Sequence, residues 1–217
     1  MNWLNARKNK QGKDIYLITS WDDFGDWDYQ LYELLKKYNI PAIFFIPVKE
    51  LLSDKNKLKL AHLIAKDFVI GSHTVNHPIL TNMLYKAEMI CEIVDSKKYL
   101  EKEFKQSIDC FCYPRGRYND NICREVANAG YLMARTTIVG AIQFGDNLIM
   151  PTSAHIYSGR KEYEGKTWLE FAINLFDQVI EGGGYFHLWG HSKEIQRDKE
   201  WGNLEWFLSY INQKLNE

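Results

Sequence analysis

The 217-residue chain lacks most of what would mark a specialised protein class. No apolar run approaches the roughly 20 residues of a membrane-spanning helix, so no membrane insertion is expected. Neither charge is in surplus: 27 Lys and Arg against 28 Asp and Glu leave a formal charge of -1, and no net basic field exists to gather nucleic acid. The four cysteines (Cys91, Cys110, Cys112, Cys123) form no CxxC pair, and residues 1–13 are polar, without the apolar core of a signal peptide. Both features lead us to expect a reducing, cytoplasmic setting. Internal repeats, low-complexity tracts and a glycine-rich nucleotide loop are also missing. What is present is 46% hydrophobic and 25% charged residues, near the globular average and enough for one large core. A single domain over residues 1–217 is expected.

Strand-like and helical patterns alternate along the chain. Compact β-rich runs fall at residues 15–20, 41–47, 68–72, 110–113, 131–135 and 185–189, with 148–150 a further short candidate. Between them, Leu31, Leu34 and Leu35 recur at helical spacing, and Ser53-Asp54 caps a helix ending near Lys66. Thr81 is expected to cap a long helix to about Phe104, with Leu84, Ala87, Ile90/Cys91 and Val94 as its buried stripe. Asn119 or Asp120 starts a helix that Gly130 stops, Thr167 caps one that ends at Gly182-Gly183-Gly184, and residues 204–215 form the last. About seven β/α alternations in one domain predict a parallel (β/α) barrel of about seven strands rather than an open sheet.

In such a barrel the chemistry sits at the carboxyl ends of the strands. Asp22-Asp23 follow the first strand, and Gly71-Ser-His-Thr-Val-Asn-His77 follows the third with two imidazoles four residues apart. Pro114 to Tyr118 follow the fourth, Arg135 the fifth, and His187 and His191 lie on and after the last. Taken singly, an acid pair can be a solvated turn and a histidine a satisfied core residue. Their agreement on one rim favours chemistry. A catalytic divalent ion takes three protein ligands and leaves a position for water, which two histidines and one carboxylate supply. The second carboxylate is then free to take a proton, and flanking Trp21 and Phe24 partly desolvate the pair. One Asp and two His suit Zn²⁺, and Co²⁺, Ni²⁺, Mn²⁺ and Fe²⁺ tolerate the same set.

These residues resemble the polysaccharide deacetylases of the NodB-homology type, carbohydrate esterase family 4. The first motif of that family is similar to Ser20-Trp21-Asp22-Asp23-Phe24-Gly25, with one insertion before the glycine. Its His-Ser/Thr-x-x-His motif matches His73-Thr74-Val75-Asn76-His77, its aromatic-x-x-Pro-x-Gly turn resembles Phe111 to Gly116, and its histidine-bearing strand resembles Tyr185-Phe186-His187. The resemblance runs from about residue 14 to 191. It implies an irregular barrel and a NodB-homology catalytic domain. It further implies Asp23, His73 and His77 as metal ligands, Asp22 as the base that activates water, His187 as the acid, and the backbone N–H of Arg115 as an oxyanion donor.

The chain departs from the family at three places. Cys112 stands where many members carry an arginine that pairs with the base; Arg135 or Arg117 can reach in instead, and strand-end Arg135 is favoured. Arg115 replaces a tyrosine. The Asp-x-x-Asp-Trp motif that orients the acid is missing, with Asp146 or Glu194 as candidate substitutes. His191 is expected to support the site or touch substrate, although its spacing from His187 would also suit a second metal. His155 is read as cleft wall or packing, His62 as solvated. Trp21, Tyr118 and Trp189 are expected near the cleft.

The expected function is metal-dependent removal of N-acetyl groups from an N-acetylhexosamine-containing saccharide or glycoconjugate precursor. The alternatives are an amidase of the same superfamily acting on a small non-sugar amide, and a non-catalytic saccharide-binding module. A zinc peptidase is disfavoured because Thr74 stands where its general-base Glu should be.

Overall fold

The computed structural model describes residues 6–216. Residues 1–5 of the polar start and Glu217 lie outside the described residues. In chain order the elements are β1 (Ala6–Lys8), β2 (Asp14–Asp22), α1 (Asp28–Lys37), β3 (Ala42–Ile46), α2 (Val48–Ser53), α3 (Lys55–Ile64), β4 (Val69–Ser72) and α4 (Lys86–Phe104). There follow β5 (Cys110–Cys112), α5 (Asp120–Asn128), β6 (Met133–Arg135), β7 (Ala154–His155), α6 (Trp168–Gly182), β8 (Gly184–Gly190), α7 (Ser192–Arg197) and α8 (Trp201–Asn216).

Among the described residues seven parallel strands run in the order β6-β5-β4-β3-β2-β8-β7. Short β1 pairs antiparallel with the first residues of β2, the stretch that β3 does not reach. The sheet curls until its edges are tied by residues 150–156. Met150 bridges Arg135 of β6, while the N–H groups of Ser153 and Ile156 donate to the carbonyls of His187 and Trp189 on β8. The result is the parallel barrel that the alternation predicts, irregular as the family resemblance implies.

Period-two alternation sorts each strand between two cores. Ile18, Ile43, Phe45, Cys110, Cys112, Met133, Met150 and Tyr185 cluster together as the smaller core, inside the curl. Leu17, Trp21, Phe44, Ile46, Ile70, Phe186 and Leu188 join the larger core against the helices. Phe45 fits because Gly71 faces it: a Cβ on Gly71 would lie 2.5 Å from the ring. Caps form at Asp54, whose carboxylate accepts from Asn56 N–H at 2.7 Å, at Asn119, and at Thr167, which makes a capping box with Glu170.

Four expectations are corrected. Residues 147–149 form a 3₁₀ turn because Asp146 accepts from Leu148 N–H at 2.7 Å, and the sixth parallel strand is β7 instead. Thr81 caps nothing: it lies in a 3₁₀ turn, and α4 starts at Lys86. The buried face of α4 is Met89, Glu92, Ile93, Ser96 and Leu100, not the expected stripe, and Leu84 is 91% exposed. Ser192 begins a short helix, and the last helix starts at Trp201 rather than Leu204. Among the described residues no helix is long and apolar enough to cross a membrane.

Candidate active site

β2 delivers two adjacent carboxylates to different surroundings. Asp22 continues the inward face of the strand and is 4% exposed, whereas Asp23 adopts φ 72°, in the left-handed region, and turns its side chain toward β4. Asp22 Oδ2 accepts from Arg135, which is fully buried and lies 4.4 Å over the Trp189 ring. Cys112 Sγ sits 2.8 Å from the same guanidinium. Burial would raise the Asp22 carboxyl, but Arg135, then His73 and His191, outweigh it and hold it below the usual carboxylate range. Among the described residues its other oxygen, Oδ1, is buried without a partner and remains a free acceptor. Arg117, the other candidate for this pairing, is exposed.

Asp23 Oδ1 lies 3.7 Å from His73 Nε2 and 3.5 Å from His77 Nε2. Those separations are too long for hydrogen bonds. They suit ligand atoms sharing one ion, since two donors at about 2.05 Å in tetrahedral array stand about 3.3 Å apart. His73 Nδ1 meets the Cys112 carbonyl at 2.8 Å, which fixes the proton there and leaves the Nε2 lone pair facing Asp23. Burial lowers His73 to about 4 and lowers His77 also, which favours the neutral rings that ligation requires. Burial pushes Asp23 up, but His191 and Lys193 prevail and bring it to about 2. One carboxylate and two neutral imidazoles thus fit a divalent ion.

The turn between the two histidines is held by a residue that sequence reasoning missed. Glu92 of α4 accepts from the Val75 and Asn76 N–H groups at 2.9 and 2.8 Å and from the Asn76 side chain at 2.7 Å. Thr74 Oγ1 accepts from His77 N–H at 2.9 Å, and both Thr74 and His77 have positive φ. Such a turn needs fixed partners to persist.

The structure places the expected acid away from the cleft. His187 is fully buried inside the barrel, with Nε2 on Ser20 Oγ at 2.7 Å and Nδ1 on the Tyr185 hydroxyl, and it does not line the cleft. Register gives the reason. His187 pairs with Ile18 and Gly190 with Trp21, so the residue level with Asp22 is His191, about 13 Å further along the strand direction than His187. His191 Nε2 lies 4.0 Å from Asp22 and 3.8 Å from Asp23, and its Nδ1 bonds Glu194 at 2.7 Å. Burial would lower its pKa, yet Glu194 and the two aspartates raise it, favouring the proton-bearing form. Asp146, the other candidate for orienting the acid, is occupied as the cap of its own turn.

These groups line a cavity of about 420 Å³ with Tyr113, Arg115, Thr137, His155, Arg160, Trp189 and Lys193. Gly116, at φ +64°, lets the Arg115 turn close against Thr137, whose Oγ1 would lie 2.1 Å from a Cβ there. His155 stacks on Trp189 at 3.7 Å and reaches toward Glu194, forming a second possible ligand cluster with His191. Trp189 alone of the three expected cleft aromatics is in the wall; Trp21 is core, and Tyr118 packs at a tilt against Tyr113. His62 pairs with Glu103 on the surface. Beneath the rim, buried Asp28 accepts from Gly25 N–H at 2.9 Å and bonds Ser192, joining the loop after β2 to α7.

The sequence profile of the polysaccharide deacetylase family matches residues 7–134. YxkH of Bacillus subtilis is 32% identical over 139 residues, covering 63% of this chain and 49% of its own. The poly-β-1,6-N-acetyl-D-glucosamine N-deacetylase of Staphylococcus aureus is 30% identical over 129 residues, covering 51% of this chain and 44% of its own. The chain spans about half the length of the curated relatives it matches. A crystal structure of a protein of this type from Mycobacterium smegmatis has a TM-score of 0.69 at 14% identity over 96% of this chain and 88% of that one, a likeness of fold.

Two measurements probe the supports of the site. Glu92→Ala should weaken zinc binding about tenfold or more in a competition titration, because the His77 turn loses its anchor; unchanged affinity would contradict that role. Burial raises Asp28 to about 7, against about 3.9 in an unfolded chain. The folded state therefore holds the extra proton between those values, and stability falls as pH rises from about 4 to 7 and stays lower above. Urea midpoints of the natural protein should fall relative to Asp28→Asn across that window; parallel profiles would contradict the assignment.

Proposed function

The chain belongs to the polysaccharide deacetylase family, and on that premise we propose that it is a metal-dependent hydrolase of N-acetylated saccharides. Its substrate is an N-acetylhexosamine-containing saccharide or glycoconjugate precursor. The observation that carries this reading is the convergence of Asp23, His73 and His77 at ion-sharing distances beside a carboxylate kept ionised by Arg135. The named activity of the Staphylococcus aureus relative supports a saccharide amide as the substrate.

Asp23, His73 and His77 would hold the ion, Zn²⁺ by the ligand set, with Co²⁺, Ni²⁺, Mn²⁺ or Fe²⁺ as substitutes. When bound it supplies Lewis acidity, lowering the pKa of a water and polarising the acyl oxygen. Asp22 is the base: Oδ2 is committed to Arg135, so Oδ1 takes the proton of the attacking water. Negative charge then develops on the acetamide oxygen, where the backbone N–H of Arg115 is the proposed donor. His191, held by Glu194, gives its proton to the departing nitrogen in place of His187. The four unpaired cysteines accord with a cytoplasmic setting, which belongs to the same proposal.

Acetate release from N-acetylglucosamine, its oligomers and nucleotide-linked N-acetylhexosamines tests the reading. Asp22→Asn and His191→Ala should each lower turnover by a factor on the order of 10²–10⁴ with metal content preserved. Full activity in Asp22→Asn would contradict the base. Activity retained in His191→Ala but lost in a folded His187→Gln would contradict the acid.

A further inference from the structure

Two cavities meet at the ligand set. The second, about 360 Å³, shares Asp23, His77, Arg115 and Lys193 with the first and extends past the loop after β2 toward α2. Its far side carries Trp27, which is 41% exposed, with Asp26, Lys49, Glu50 and Lys57. Together the two make one trough that passes over the metal ligands.

Acids and bases line this trough in equal number, but two of its cations are left without a partner. Glu50 bonds Lys57 at 2.6 Å, and Asp26 also acts on Lys57. Asp23 is taken by Lys193, Glu194 by His191 and Asp22 by Arg135. Lys49 and Arg115 are exposed, and among the described residues neither side chain has a hydrogen bond or ion pair. Both act on His77, from which the trough begins. In the first cavity Arg160 donates to the Thr137 carbonyl and to Glu162, while among the described residues its Nε is buried without a partner. A bound divalent ion would add further positive charge. Cations lining a concavity concentrate their field inside it, here on a chain whose formal charge is only -1.

We propose that this trough binds an acidic group of the substrate, a carboxylate or phosphate carried close to the reacting acetamide, with Lys49 and Arg115 as its ligands. The inference rests on the deacetylase reading and narrows its substrate to anionic saccharides. The Arg115 guanidinium can grip two oxygens of such a group in parallel, and Lys49, in the lining of the same cavity, adds a point charge. Trp27 offers an apolar ring face at the trough's outer end for the adjoining sugar.

The test compares kcat/KM for three sets of N-acetylhexosamine saccharides, neutral, uronate-containing and phosphorylated, in the natural protein, Lys49→Gln and the Lys49→Gln/Arg115→Gln double variant. Charged substrates should be preferred about tenfold or more, mainly through KM, with the preference shrinking as salt is raised. The preference should fall toward parity in the double variant. Whether the uronate or the phosphate set leads identifies the acidic group. Equal use of charged and neutral saccharides, or a preference that survives in the double variant, overturns the inference and leaves the deacetylase reading intact. Calorimetric binding of the same saccharides decides the trough's role if no acetate is released. In that case the deacetylase reading fails, and Lys49-dependent tighter binding of the charged saccharides still supports the trough, whereas equal binding overturns it.

Discussion

A buried ion pair, Asp22 with Arg135, is the constraint on which the site depends. Arg135 is wholly enclosed by the barrel, and an enclosed guanidinium without a carboxylate would cost about 3–5 kcal/mol. The pair therefore fixes the end of β6 relative to the end of β2 across the barrel interior. It also explains Cys112: the guanidinium occupies the space that a longer side chain from β5 would need, leaving room for a thiol at 2.8 Å. Chemically, one carboxylate oxygen is spent on the arginine. The other is left as a buried acceptor with its ionised form favoured.

Around that pair the remaining groups are placed by backbone contacts more than by side-chain packing. The Cys112 carbonyl orients His73, Glu92 holds the turn carrying His77, and the left-handed conformation of Asp23 separates its carboxylate from that of Asp22. Two neighbouring acids can thus do unlike work. The first interacts with an arginine in the dry interior, the second with imidazoles and Lys193 at the mouth.

Much of this was legible in the sequence, for physical reasons that also set its limits. Strand runs such as Ala-Ile-Phe-Phe-Ile stand out because both faces are buried, and the His73-His77 spacing stands out because one short turn carries both rings. Arg135 was readable as a strand-end charge needing a partner. The depth of His187 was not legible because alternation tells which face a residue takes but not how far along the strand it sits; that comes from the pairing of β8 with β2, which puts His191 level with Asp22. Counting residues from the start of each strand run to its polar end could have found this. The stripe of α4 was misplaced because polar contacts choose its buried face, Glu92 to the histidine turn and Ser96 to Ser72 at 2.8 Å. A hydrophobic pattern carries no trace of those. β7 escaped because two residues are too few to show a period.

The most direct test of the account is anomalous diffraction from crystals grown with Zn²⁺, recorded on either side of the zinc absorption edge. The account predicts one strong peak between Asp23 Oδ1 and the Nε2 atoms of His73 and His77, with Asp22 and Arg135 still paired beside it. A peak on His155, His191 and Glu194 instead, or none at the Asp23 cluster in protein shown to retain zinc, would contradict it.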